Sequence, residues 1–480
     1  MGWSTSGIKR TCRYSRREHF PGKKKQDSGD DTIAAIITPP GEGGIAAIRI
    51  AGPDSRTILH SHFQPSAGDP AAPAQPFMLR HGYWKASEGA VIDEVTAVHM
   101  PEGQSYTGLE QVEIFGHGGR QVVRLILQTI LDSGARMAEP GEFTRLAFLN
   151  GRIDLTRAEA VAEMIAANTA HSYEASREHL LGAYAGEIER LRQAMVHILA
   201  EIEASIDFAE EDIDPAEQKK LTAPLGEIIT DIDQLLATYR GGRIIQEGYK
   251  VVLAGRPNAG KSSLFNLLLR QERALVNPTA GTTRDYLSEW IDLEGYAVNL
   301  IDTAGLRIDG DEIEKAGQNL ARQLIDSADL VVWLVDLADP DWKGLLATDV
   351  AMFDQEKLLV TGNKIDVVDR QASAEMPTIS YSCRTGEGIE DLTQALSDRI
   401  NERMPDQTSG IMVTSARHQQ KLTAAHEALT TARDQVLAGD TPDVIAFTLR
   451  QATTAIDEIT GRIYTEEVLG EIFSSFCIGK

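Results

Sequence analysis

The chain has 480 residues, 42% of them hydrophobic and 25% charged, a globular composition too long for a single core, so two or three domains are expected. Its 71 Asp and Glu against 47 Lys and Arg give a net charge of -24, which excludes a broad nucleic-acid-binding surface: any RNA contact must be local or supplied by a partner. No run reaches the roughly eighteen uncharged apolar residues of a membrane helix, and three scattered cysteines, Cys12, Cys383 and Cys477, fit a reducing, cytoplasmic setting.

Residues 1–31 read as a disordered basic extension. Eight Lys or Arg and one acid, Glu18, put +7 on residues 1–26 and leave -31 for the remainder. The segment lacks the apolar stretch of a secretory signal. A disordered arm, an organelle-targeting extension and an upstream start codon all stay open as readings of it.

Residues 32–150 alternate apolar and polar positions in DTIAAIITPPGEGGIAAIRI, AVIDEVTAVHM and SYTGLEQVEIFGHGG, with Gly and Pro punctuation. That pattern predicts an α+β domain with an antiparallel sheet. The stretch PGEFTRLAFLNGRIDLTRAEA then crosses into a helix, its Glu142 and Arg145 reading as solvated or salt-bridged, and Thr156 to Glu159 as a capping box. From 151 to 245, Tyr184, Ile188, Leu191, Met195 and Ile198 recur at helical steps. From 404 to 480, Leu422, Ala425, Leu429, Ala432 and Val436 do the same. The two runs are predicted to pack on each other as one all-α domain, which brings the chain's end, FCIGK, back towards its first half.

Residues 246–403 are inserted between those runs and carry the chemistry. Strands alternating with helices predict a doubly wound, mainly parallel α/β sheet with its ligand beyond the carboxyl ends of the strands. Gly255-x-x-x-x-Gly260-Lys261-Ser262 lies between an apolar strand and an amphipathic helix, the setting a phosphate loop requires. Its backbone N–H groups (Asn258, Ala259, Gly260, Ser263) and the helix N-terminus cradle phosphate, Lys261 reaches the β/γ oxygens, and Ser262 offers a hydroxyl to Mg²⁺. Asp302-Thr303-Ala304-Gly305 ends a second strand, where Asp302 can hold Mg²⁺ through water and Gly305 can sense the γ-phosphate. Asn363-Lys364-Ile365-Asp366 ends a third. A carboxylate there accepts from the N1–H and exocyclic amine of guanine, a donor pair adenine lacks, so the nucleotide is GTP. Ser382 and Cys383 stand where such domains place a backbone contact to the guanine oxygen.

Leu306 follows Gly305 directly, where small signalling GTPases carry the glutamine that orients water. Hydrolysis therefore needs another polar group, from among Asp309, Asp311, Glu312 and Glu314, and another positive charge. In GTTRD, Thr283 is a natural second Mg²⁺ ligand. Asn258 reads either as an Asx turn or as a ligand for a monovalent cation beside the phosphates, together with oxygens of 277–282.

Taken in order, TPPGEGGIAAIRI, SYTGLEQVEIFGHGG, PGEFTRLAFLNGRIDLTRAEA, GRPNAGKSSLFN, GTTRD, DTAGLR, NKID and FSSFCIGK resemble one family over residues 32–480: the bacterial and organellar tRNA modification GTPases MnmE, also called TrmE. The resemblance implies a folate-binding, dimerising N-terminal domain, a helical domain from both flanks and an inserted, K⁺-stimulated GTPase domain. It implies a homodimer working with an FAD-dependent MnmG-type protein, as a heterotetramer, on tRNA. The product is a carboxymethylaminomethyl or aminomethyl group at C5 of the wobble uridine, installed using 5-formyl- or methylene-tetrahydrofolate as one-carbon donor. Carried over by residue, it implies K⁺ at Asn258, Thr282 and the carbonyls near Asn277 and Thr279, and Mg²⁺ at Ser262 and Thr283. Glu314 becomes the water-orienting acid, and folate falls on Arg49, Glu113, Arg152 and Lys480. Arg152 stands where many members have lysine, which keeps the charge and changes the geometry. Cys477 has two readings, a nucleophile near the one-carbon site or a small packed hydrophobe. The competing function is an RNA or ribosome assembly GTPase acting as a binding switch, which would call for a basic RNA-binding module. A folate carrier with a purely regulatory GTPase is the third.

Overall fold

The computed structural model describes residues 31–67, 75–207, 219–275, 287–303, 322–351, 353–368, 376–404 and 411–480. The basic segment 1–30 lies outside them. The chain divides into two compact units: the described part of Met1–Ile153 with Leu469–Lys480, and Asp154–Val468.

The first unit contains β1 (Ile33–Ile36), β2 (Gly43–Ala51), α1 (Ser55–His62), β3 (Phe63–Pro65), β4 (Arg80–Lys85), β5 (Val91–Met100), β6 (Gln111–Gly118), α2 (Arg120–Asp132), β7 (Arg136–Met137) and α3 (Glu142–Leu149). Its strands form one sheet in the order β3-β4-β5-β6-β2-β1-β7, antiparallel except for the β1–β7 pair. Because side chains alternate across a strand, β2 presents Ile48 and Ile50 to one face and Arg49 to the other. Ile58 and Leu59 of α1 and Ile126 and Ile130 of α2 cover the first face. Phe143 and Leu146 of α3 pack on Ile33, Ala35 and Ala51 of the second. Glu142 is buried and pairs with Arg136 through both oxygens, at 2.6 and 3.0 Å, in keeping with the salt-bridged reading.

The second unit begins with α4 (Leu155–Ala166), α5 (Ala170–Leu181), α6 (Ala183–Asp207) and α7 (Thr222–Glu247), and ends with α11 (Ala416–Ala438) and α12 (Pro442–Thr460). The residues singled out by period on both flanks, Tyr184 to Ile198 and Leu422 to Val436, all lie in one buried helical core. One local reading is corrected. Asp154, not Thr156, caps α4, its carboxylate accepting from the Arg157 N–H at 3.0 Å. Glu159 is drawn away from the helix end by a tertiary partner: Arg417 donates to both its oxygens at 3.0 and 2.8 Å, and His418 Nε2 lies 2.8 Å away. A tertiary cation outcompetes a cap.

Between the flanks lie β8 (Tyr249–Gly255), α8 (Lys261–Gln271), β9 (Arg273–Ala274), β10 (Leu287–Leu293), β11 (Tyr296–Asp302), β12 (Leu330–Asp336), α9 (Trp342–Val350), β13 (Leu358–Asn363), β14 (Ile379–Tyr381) and α10 (Ile389–Asn401). The strand order is β14-β13-β12-β8-β11-β10-β9, parallel from β14 to β11, with β10 and β9 antiparallel at the edge. The return to the helices is pinned: the Val413 N–H donates to Thr238 Oγ1 at 3.0 Å, and His179 Nε2 lies 2.8 Å from the Met412 carbonyl. Finally α13 (Glu466–Ser474) leads, from Leu469, into the first unit. Among the described residues no helix is long and apolar enough to cross a membrane.

Candidate functional site

The phosphate loop joins β8 to α8, and its conformation explains its residues. Asn258 has φ +65°, a left-handed backbone that asparagine tolerates better than most side chains. Gly260 has φ +101°, and a Cβ there would stand 2.1 Å from Asn363 Nδ2, so both the torsion and the space demand glycine. Lys261 is buried, and its ammonium donates to the Gly255 and Arg256 carbonyls at 2.8 and 3.0 Å. Ala259 is buried beneath the loop, whereas Ser263 is exposed on the first turn of α8.

Ser262 Oγ donates to Asp302 Oδ2 at 2.6 Å, bringing the ends of α8 and β11 together. Asp302 is wholly buried, and Thr303 Oγ1 ties the next residue to the Leu253 carbonyl. A hydroxyl and a carboxylate converging in this way are the hard oxygen donors that suit Mg²⁺. Asn277, Thr279, Thr282, Thr283, Ala304, Gly305 and Glu314 lie outside the described residues, as do Leu306, Asp309, Asp311 and Glu312.

The base end is built from β13 and β14. Asn363 Nδ2 donates to the Ala259 carbonyl at 2.8 Å, and its Oδ1 accepts from the Cys383 N–H at 3.2 Å, so one amide joins the phosphate loop to the turn after β14. Lys364, at φ +71°, donates to Asp336 Oδ2 at 2.5 Å. Buried Ser382 donates its hydroxyl to Asp366 Oδ1 at 2.7 Å. That hydroxyl role went unread in the sequence, which offered Ser382 only as a backbone contact. Asp336 went unread too, because it lies 28 residues before Lys364 and only the parallel β12–β13 pairing sets them side by side. Burial pushes the Cys383 thiol up to about 11 against a hydrogen bond from Asn363, which disfavours its thiolate.

The second cluster lies in the first unit. Arg49 and Glu113 sit opposite each other in the β2–β6 register and form a salt bridge at 2.9 Å, each side chain 14% exposed. The guanidinium stands 5.3 Å from the Tyr106 ring and 5.4 Å from the Phe143 ring. Buried Gln111 donates to Glu113 Oε1 at 3.1 Å. These flanking residues were missed, since a lone Tyr, Phe or Gln in a strand-rich stretch has no spacing signal. Arg152 donates to the Gly103 carbonyl at 3.0 Å, in the loop that carries Tyr106.

The chain's end docks on the same unit. The Phe143 N–H donates to the Lys480 carbonyl at 3.1 Å, and Ile478 forms a bridge with Pro140. Gly479, at φ +97°, lies so close to β1 that a Cβ would meet the Ile36 carbonyl at 2.4 Å. Phe143 thus touches Arg49 with its ring and Lys480 with its backbone. Cys477 is exposed.

A phosphate loop, a Ser hydrogen-bonded to an Asp at its mouth and an Asn-Lys-x-Asp turn define a GTP-binding domain of the phosphate-loop class, set within a helical bundle. Sequence models of the "GTP-binding protein TrmE N-terminus" and the "MnmE helical domain" match residues 32–152 and 155–477. Proteins named "tRNA modification GTPase MnmE" from Akkermansia muciniphila, Carboxydothermus hydrogenoformans and Natranaerobius thermophilus are 40%, 37% and 39% identical, each over 94% of this chain and 99%, 100% and 100% of their own. The chain belongs to the MnmE family of tRNA modification GTPases.

Proposed function

We propose that the protein is a GTP-hydrolysing tRNA modification enzyme of the cytoplasm. It acts as a homodimer with an FAD-dependent MnmG-type partner to place a carboxymethylaminomethyl or aminomethyl group on C5 of the wobble uridine of certain tRNAs, its linking carbon from a tetrahydrofolate one-carbon donor and its nitrogen from glycine or ammonia. The observation that carries the reading is the docking of FCIGK against α3 beside the Arg49–Glu113 pair, which gathers carboxylate, guanidinium and a terminal lysine on one unit. Glutamate hydrogen-bonds a pterin edge, and Arg49, Arg152 and Lys480 suit the carboxylates of folate. Folate, when bound, would supply the one-carbon unit, and the exposed Cys477 is the thiol the first unit presents beside it.

In the GTPase part, water attacks the γ-phosphorus as the bond to the β-phosphate oxygen breaks, leaving GDP and phosphate. Lys261 and the loop N–H groups neutralise the charge that develops there. Ser262 and Thr283 are the residues to hold Mg²⁺, and Asn258, Thr282 and the carbonyls of Asn277 and Thr279 the residues to hold K⁺; together these ions supply positive charge in place of an arginine. Glu314 orients the water.

The test is nucleoside mass spectrometry of tRNA from cells lacking the gene, complemented with the intact chain, Asp366→Asn or Cys477→Ser. The intact chain restores the modified uridine and both variants fail. Restoration by Asp366→Asn would make the GTPase regulatory only, and restoration by Cys477→Ser would remove the thiol from the chemistry. No restoration by the intact chain would favour an assembly switch.

A further inference from the structure

Arg256 is the second residue of the phosphate loop, a position the Gly-x-x-x-x-Gly-Lys-Ser pattern leaves open. Its guanidinium grips Asp349 with two prongs, Nε to Oδ2 at 2.8 Å and Nη2 to Oδ1 at 2.9 Å. Asp349 lies in the last turn of α9 and is buried. Both conditions disfavour a carboxylate there, because a helix C-terminus carries negative partial charge and burial removes water. A residue that breaks local rules twice calls for a compensating partner, and Arg256 is that partner.

Asp349 is also a firm anchor. Val350 and Phe353, just beyond it, pack against the core of Val252, Ala254 and Val331 beside β8 and β12, and Phe353 lies 5.0 Å from the Trp333 ring. The residue gripped by this anchor supplies the carbonyl that receives Lys261 Nζ at 3.0 Å and the Ala259 N–H at 3.3 Å. Where the Arg256 side chain is held therefore sets where its own carbonyl lies, and with it the lysine ammonium that meets phosphate.

We propose that Arg256 and Asp349 are positioning residues for nucleotide binding, a fork that fixes the phosphate loop against α9. The proposal rests on the guanine-nucleotide reading of the loop, and the unaltered chain tests that reading separately. The full chain and its variants are titrated with fluorescent GTP and GDP analogues, with steady-state hydrolysis alongside. Arg256→Ala and Asp349→Asn each weaken both nucleotides about tenfold, and the double variant is no weaker than either single one, as expected of two groups acting through one contact. Arg256→Lys, a point charge that cannot fork, falls between. KM for GTP rises while kcat changes by less than about twofold.

Unchanged affinity in Arg256→Ala and Asp349→Asn overturns the proposal, as do losses that add independently or a fall in kcat at constant KM. A lowered melting temperature with unchanged affinity also overturns it, since the pair would then be structural only. If Arg256→Ala does not fold, Arg256→Lys and Asp349→Asn carry the comparison. Failure of the unaltered chain to bind either analogue would overturn the guanine-nucleotide reading instead.

Discussion

Replacing Glu159 with alanine tests how the two helical flanks are joined. Glu159 on α4, its side chain 14% exposed, accepts from Arg417 through both oxygens, with His418 Nε2 at 2.8 Å, so one carboxylate links residues about 258 positions apart. Burial alone would raise its pKa. The Arg417 guanidinium and the hydrogen bonds from His418 and Arg417 more than offset that, holding it at about 2 against an ordinary 4.5, while burial lowers the pKa of His418 itself and keeps its ring towards the neutral form. At about 1.4 kcal/mol per pH unit, that difference is worth about 3 kcal/mol. Breaking a buried pair by removing one partner costs about 3–5 kcal/mol. Arg417 is 18% exposed and keeps its bonds to the Glu458 and Ile459 carbonyls, which places the expectation at the lower end. A chain of several domains need not unfold in one step, so native-state hydrogen exchange is the assay. The α11 amides should exchange about a hundredfold faster in Glu159→Ala, while those of the first unit's sheet do not change. Glu174→Gln, which removes an exposed pair with Arg177, is the control and should change nothing measurable. An α11 rate within about threefold of the unaltered chain would refute the buried-pair reasoning.

Three further outcomes follow from the same geometry. Since the folded pKa of Glu159 lies below its unfolded value, its stabilisation is complete above about pH 4.5 and is lost as pH falls towards 2; α11 exchange should accelerate across that window, and much less so in Glu159→Gln. Alkylation at pH 8, mapped by peptide mass spectrometry, should modify exposed Cys477 well before Cys383, whose thiol is pushed up to about 11; the reverse order would contradict the burial of Cys383. Gly479→Ala forces a Cβ towards the Ile36 carbonyl and strains a positive φ, costing about 1–3 kcal/mol, so carboxypeptidase should trim the tail faster than in the unaltered chain, and equal rates would mean that the docking tolerates a side chain.

Much of the GTPase part was legible in the sequence, because its chemistry is local: each motif is a strand end followed by a turn, and glycine, lysine, serine and aspartate at fixed spacing are themselves the ligand-binding geometry. The helical cores were legible for a related reason, since a 3.6-residue period names the buried face without saying what covers it. Pairings between distant segments were not. Glu159 read as a cap until Arg417 claimed it, and Arg256 and Asp349 carry no shared spacing signal across the 93 residues that separate them.

By itself, the sequence determined the class of each segment, the guanine preference and the order of phosphate-loop motifs. These follow from covalent spacing and from the hydrogen-bonding capacity of individual side chains. Only the tertiary structure decided that Arg49 faces Glu113, that Phe143 links that pair to Lys480, and that Ser382 steadies Asp366. Those contacts depend on strand register and on a chain end held by Gly479 against β1. Register and docking are set by the packing of the unit as a whole, and no short stretch of residues contains them.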